Sequence, residues 1–162
     1  MNQQTWLVVI LLLLSLSSFK PTGAQINYRR YCNSRFGFCV DYLKTFRIDP
    51  PPANGDGRRF THGNLEMIVS GRFNVFQQNL DSVRRESIFC ANGIRPIVTY
   101  QFVGKNFFVV SGFCGNQIFY RKVYVGRENI NSLYFQYPKH DKNLYDSLVT
   151  HIANSFQAGE LE

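Results

Sequence analysis

Four cysteines and three histidines carry the most distinctive chemistry in this chain: Cys32, Cys39, Cys90 and Cys114, with His62, His140 and His151. A structural zinc site draws its ligands from closely spaced Cys and His pairs. Here there is no C-x-x-C, and the histidines lie far from the cysteines in sequence. An even cysteine count in an exported chain points instead to disulfides. Asn54-Gly55-Asp56-Gly57 is the most polar loop. A calcium loop needs several oxygen ligands at regular spacing and a distal acid. This one has a single Asp followed by Arg58 and Arg59, which repel a cation. The simplest reading is a structural turn. If the loop binds anything, successive backbone N–H groups beside two arginines suit an anion, so Asn54, Asp56, Arg58 and Arg59 are the candidate anion- or partner-binding residues.

Other reactive types lack their usual companions. Ser111 sits between Val110 and Gly112 without the G-x-S-x-G elbow, and no helix follows it to position a nucleophile. His151 falls at the boundary of a helical apolar stripe, and His140 lies between Lys139 and Asp141. No pair of acids is recognisable at a glycosidase separation. Phe107, Phe119, Tyr120 and Phe135 could stack on bases, but they fall inside strand patterns, where aromatics serve the core. No catalytic residue, metal or cofactor is assigned.

The elements that must hold these residues follow from the apolar spacing. Segments 28–31 and 36–43 read as strands around Asn33-Ser34-Arg35, the second placing Phe36, Phe38, Val40 and Tyr42 on one face. Three prolines at 50–52 end regular structure. Segments 58–61 and 65–70 pair across His62-Gly63-Asn64. Leu80, Val83, Ser87 and Ile88 recur at helical spacing. Strands return at 97–103, 106–111, 117–125 and 130–137, separated by short gaps that make neighbours antiparallel; one gap is the turn from Gly112 to Gly115. After Pro138, Asp141 is placed to cap a helix with the stripe Leu144, Tyr145, Leu148, Val149, Ile152 and Phe156. The expected class is α+β: an antiparallel β-sheet flanked by two main helices.

The N-terminus supplies the address. Residues 6–14 form an unbroken apolar run, about half the roughly 20 residues a membrane-spanning helix needs. Thr22-Gly23-Ala24 suits a signal-peptidase site, although the segment before the run carries no Lys or Arg. The chain therefore divides into a cleaved signal peptide, 1–24, and a single domain, 25–162. It is expected to be exported, periplasmic or secreted, with no stable membrane span after cleavage. Loss of Lys20 leaves 17 basic residues against 11 acidic ones. The doublets Arg29-Arg30, Arg58-Arg59 and Arg84-Arg85 are scattered and interleaved with acids, unlike the concentrated base of a nucleic-acid binder. Nucleic acid is not an expected partner.

Several strings carry a family resemblance. Residues 35–42, RFGFCVDY, and 50–60, PPPANGDGRRF, resemble the opening of small exported bacterial proteins of uncharacterised role, which have an aromatic-Gly-Phe-Ser strand and a proline-rich NGDG loop before a Phe. Residues 106–112, NFFVVSG, and 118–122, IFYRK, are similar to the central strands of that group. Residues 134–139 and 145–152 resemble its last strand and helix. Cys39 departs from the pattern by standing where serine is common. The group resembles the PsbP-like α/β/α sandwich superfamily, and that resemblance implies a binding or accessory role and no catalysis.

The expected function is a non-catalytic exported domain acting on an envelope or extracellular protein, with an acidic partner suited to its charge. The NGDG loop and the Gly112–Gly115 turn are the candidate contacts. Two alternatives stand beside it: an inhibitor or immunity protein against a hydrolase or toxin, and an enzyme with a dispersed, unrecognised site. For the cysteines, strand geometry favours Cys32–Cys39 across the first turn. If Phe102 faces Phe107, Cys114 falls opposite Arg95, near Cys90, which favours Cys90–Cys114. Mass spectrometry of the exported protein should show a chain beginning at Gln25. With Trp6 removed, its fluorescence should be of tyrosine type only. Intact Met1 on the exported form contradicts cleavage.

Overall fold

Alternating segments joined by tight polar turns can satisfy their backbone groups only by pairing with their neighbours. The computed structural model describes residues 27–90 and 93–159. The expected signal peptide lies outside them. The described chain runs β1 (Tyr28–Cys32), β2 (Cys39–Leu43), β3 (Arg47–Ile48), β4 (Gly57–His62), β5 (Leu65–Phe73), α1 (Leu80–Glu86), β6 (Ile97–Val103), β7 (Phe107–Cys114), β8 (Gln117–Val125), β9 (Asn129–Pro138) and α2 (Lys142–Ser155). One seven-stranded sheet has the order β3-β4-β5-β9-β8-β7-β6, with every neighbouring pair antiparallel. The segment through α1 carries the chain from β5 to the far edge, and β6 to β9 then return as a meander. This is the expected α+β class with two main helices.

The sheet separates two apolar layers. On one side, Phe60, Met67, Val69, Leu133 and Phe135 are buried beneath Tyr145, Val149, Ile152 and Ala153 of α2. The β1–β2 hairpin fills the rest of that layer as a separate two-stranded sheet, which the strand pattern alone does not reveal. Its Tyr31 and Tyr42 meet Phe60 at ring distances of 5.7 and 5.0 Å, and Phe38 meets Phe156 at 6.2 Å. On the other side, α1 and the segment after it bury Val83 and Cys90 against Phe108, Val110, Phe119, Val123 and Ile130.

Three buried asparagines organise the connections, two of them by donating and accepting at once through one carboxamide. Asn33 accepts from the Arg35 and Phe36 amides and donates to the Gly55 carbonyl, tying the hairpin turn to the NGDG loop. Asn74 accepts from the Gln78 amide and donates to the Gly126 carbonyl. Asn131 accepts from the Gly159 amide, which pins the C-terminal tail across the sheet. That tail also pairs through Gln157 with Cys39 of β2, at 2.9 and 3.0 Å. A Cβ on Gly159 would lie 1.9 Å from the Phe36 carbonyl oxygen, so only glycine passes there.

Four details differ from the sequence reading. Phe102 pairs with Val109, not Phe107, and the register shifts between Val98 and Tyr100. The reversal has the expected length but lies one residue later, at 104–107, closed by the Gly104 amide on the Phe107 carbonyl at 2.8 Å. Strand β7 continues through Cys114, so of the expected Gly112–Gly115 turn only Gly115 remains, turning with Asn116. At Gly112 the irregular β6 backbone crosses so closely that a Cβ would meet the Ile97 carbonyl at 2.0 Å. Asp141 makes no side-chain cap. It accepts from Asn64 Nδ2 at 2.9 Å, and a short 3-10 turn over Lys139–Asp141 enters the helix. Leu144 is 65% exposed because Ala153 faces the sheet instead.

Both disulfides are present, Cys32–Cys39 and Cys90–Cys114, with Cα separations of 4.1 and 5.7 Å. They close loops with separations of 7 and 24 residues, so the second restrains more unfolded chain. Replacing Cys90 and Cys114 by alanine should cost roughly 3 kcal/mol in urea unfolding, about 1 kcal/mol more than the Cys32/Cys39 pair. The reverse order would show that the short hairpin link dominates.

Candidate binding surface

The sequence-predicted loop residues are held at the β3–β4 end of the sheet. Gly55 takes a positive φ of 65° in the turn, and the loop carbonyls face the hairpin. Asn54 O accepts from Arg35 and Gly55 O from Asn33. Asn54 and Asp56 bond each other through their side chains at 2.8 Å. Strand alternation then separates the two arginines, since successive side chains point to opposite faces. Arg58 turns toward the hairpin, lies 5.6 Å over the Tyr31 ring and donates to the Asp49 carbonyl at 3.2 Å. Arg59 turns to the other face and pairs with Glu66 at 2.5 Å. The structure thus brings Asn54 and Asp56 together and places Arg58 and Arg59 on opposite sides.

Residues considered for catalysis are also dispersed. The Ser111 hydroxyl donates to the Phe119 carbonyl at 2.9 Å. His151 stacks on Tyr28 at 3.8 Å and lies 3.9 Å from Asp41. His140 is 3.6 Å from Asp141. Among the described residues, no three of His, Cys, Asp and Glu gather into a metal-holding group, and no helix is long and apolar enough to cross a membrane.

A different surface emerges at the opposite end of the sheet. Helix α2 stops over β9 and β8, where Lys122 Nζ donates to the Ala153 carbonyl at 2.8 Å. Beyond it, β7 keeps Val109 buried and Phe107 and Phe113 partly buried, and the same face is bare at the edge strand β6. Ile97, Tyr100 and Phe102 are 64%, 54% and 48% exposed. Phe102, Phe107 and Tyr124 form a continuous row of rings, at 5.5 and 5.3 Å. Partly buried Phe113 and Tyr120 join the packed core to this shelf.

Basic groups flank the rings. Lys122 lies 5.7 Å from the Phe107 centroid and 5.3 Å from that of Tyr124, while Lys139 sits 4.2 Å from Phe113. Such cation–ring contacts keep the ammonium groups beside the apolar shelf. Burial lowers the Lys122 pKa. Burial first, then the neighbouring Tyr100 and Tyr124 phenols, raises that of Tyr120 to about 12. From Ser87 to Arg127 the sequence contains Arg95, Lys105, Arg121, Lys122 and Arg127 and not one Asp or Glu. That acid-free stretch is the sequence signal that could have found the shelf. Strand alternation alone assigns its aromatics to the core.

The other face has a groove of about 370 Å³ lined by Glu66, Ser70, Phe89, Arg121 and Tyr134. Arg121 is clamped between the Phe89 and Tyr134 rings, at 4.5 and 4.8 Å, and donates to the Ser87 carbonyl at 2.6 Å. Burial lowers its pKa, partly opposed by Tyr134. Arg121 thereby fastens the segment after α1 to the sheet.

This arrangement can be compared with known structures. The solution structure of cyanobacterial PsbP (CyanoP) from Synechocystis sp. PCC 6803 superposes with a TM-score of 0.64 over 88% of this chain and 98% of that one, at 12% identity. The fold is PsbP-like. At that identity the likeness concerns the fold alone. No family model and no curated protein matches the sequence.

The two loop arginines should separate experimentally. Arg58→Ala removes a carbonyl partner and ring packing and should cost about 1–2 kcal/mol. Arg59→Ala removes partly exposed ion pairs with Glu66 and Asp49 and should cost less than about 1 kcal/mol. Equal losses in denaturant titration would contradict the split across the sheet.

Proposed function

We propose that this protein is a non-catalytic exported domain that binds an acidic protein partner in the envelope or extracellular space. One observation carries the reading: Ile97, Tyr100 and Phe102 stand exposed on a sheet face where Lys122 and Lys139 lie against the adjoining rings. A contiguous apolar patch of this kind marks an interaction surface more readily than an ordinary solvated one. Exposed aromatics with a basic rim favour a partner that offers apolar side chains and carboxylates together. The disulfides support an oxidising compartment, and the PsbP-like resemblance implies a binding or accessory role. The loop holding Asn54 and Asp56, with Arg58 and Arg59, lies at the far edge of the sheet. We assign it a secondary contact, made through half-exposed Arg59.

A photoreactive benzoylphenylalanine at Phe102 tests this in the full chain expressed in its own host. The expected result is a discrete adduct to an acidic segment of one protein, absent when the probe replaces exposed Leu144 on α2. Its yield should fall in high salt, which screens exposed charge. Equal adducts from both positions, or adducts to basic segments, contradict the reading.

A further inference from the structure

The bare shelf ends at a free sheet edge, since β6 has β7 on one side and, among the described residues, no strand on the other. In an antiparallel pair, residues alternate between exchanging both hydrogen bonds with the neighbour and pointing both groups away. The Gly104 amide donates to Phe107 at 2.8 Å, so Gly104 belongs to the inward set. The same register pairs Phe102 with Val109 and Tyr100 with Ser111. Gln101 and Val103 lie between these residues, so their N–H and C=O groups point out along the open edge.

Natural edges are protected by charge, proline or a covering element. Strand β6 reads IVTYQFV, with seven residues and no charge or proline. Its irregularity lies between Val98 and Tyr100, and the 100–103 stretch keeps an unbroken register. The charges stand around it. Arg95 precedes the strand and Lys105 follows it. Arg84 of α1 reaches the Gln101 side chain at 2.9 Å on the face opposite the aromatic shelf, where it also pairs with exposed Asp81 at 3.2 Å. A strand laid beside β6 would therefore meet rings on one face and arginine on the other.

From this we infer that the partner enters as an extended segment that adds an eighth strand to β6, alternating apolar and acidic residues. Its apolar side chains lie on Tyr100 and Phe102, and its carboxylates face the basic ends of the strand and take the place of exposed Asp81 on Arg84. Main-chain bonds to Gln101 and Val103 supply the attachment, and the alternation supplies selectivity. The opposed charges select this occupant over a second copy of the same chain, whose edge would bring the same basic rim. This inference rests on the acidic-partner reading and specifies how the partner docks.

The test uses the mature protein with a blocked seven-residue peptide alternating Glu with Val and Phe, and its Lys counterpart. Amide resonances of β6 should shift with the Glu peptide, and the Lys peptide should bind about tenfold more weakly or worse. N-methylation of the peptide amides on one edge should abolish binding, while methylation of the other edge preserves it. Gln101→Pro should remove binding with a native-like spectrum, and Gln101→Ala should retain it. The peptide methylation series decides the matter even if the proline variant is unstable. Equal binding by all methylated peptides overturns strand addition, as does concentration-dependent dimerisation through β6 that excludes the peptide. Preference for phosphatidylglycerol vesicles over the Glu peptide overturns it in favour of a lipid surface. If the Phe102 adduct to an acidic protein persists in Gln101→Pro, strand addition fails and the broader reading stands.

Discussion

Sheet width governs this structure. Seven strands at about 4.8 Å spacing span roughly 29 Å, whereas one helix with its side chains is about 10–12 Å across. Helix α2 alone cannot cover the apolar face that runs from β4 through β5 and β9 to β8. The β1–β2 hairpin supplies a second cover of comparable width, joined to the helix by the Asp41 amide on Ser155 Oγ at 2.9 Å. Together they shelter the sheet from β4 to β8. Nothing in the described chain remains to cover β6 on that side, and its aromatics Tyr100 and Phe102 are left in solvent. The exposed shelf is thus a consequence of the architecture, and its basic surroundings give that consequence a use.

The covers need fastening because neither is a large layer. Cys32–Cys39 closes the hairpin at the point where Gln157 pairs with Cys39, so the disulfide and the C-terminal tail hold the same corner. Asn33 and Asn131 extend that corner to the NGDG loop and to the sheet. On the opposite face, α1 has only seven residues, too few for a stable isolated helix. Cys90–Cys114 and the Arg121 clamp hold its exit segment against β7 and β8. The NGDG motif belongs to this fastening. Its glycine turn and outward carbonyls let Asn33 and Arg35 grip it.

Much of the fold was legible in the residues. Period-two alternation marked the long strands, and the stripe Tyr145, Val149, Ile152 and Phe156 marked the last helix. Both cysteine pairs followed from strand adjacency, even though the assumed Phe102–Phe107 register was two residues out. What escaped depends on distant contacts. The two-residue β3 is too short to show a period, and Asp141 is drawn from capping by Asn64, which is remote in sequence. The hairpin's separation from the main sheet follows from packing that no local pattern records. The candidate surface was less legible. Tyr100 and Phe102 alternate like core residues, and only the final width of the cover leaves them bare. Arg58 and Arg59 looked like one site as a doublet, yet strand alternation sends them to opposite faces.

The most direct measurement is residue-resolved hydroxyl-radical footprinting of this protein, first purified and then within its native exported fraction. The account predicts rapid labelling of Ile97, Tyr100 and Phe102 in the purified protein, and strong protection of these three in the native fraction while Leu144 stays labelled in both. Slow labelling of β6 in the purified protein, or protection confined to the Arg58–Arg59 end of the sheet, would contradict it.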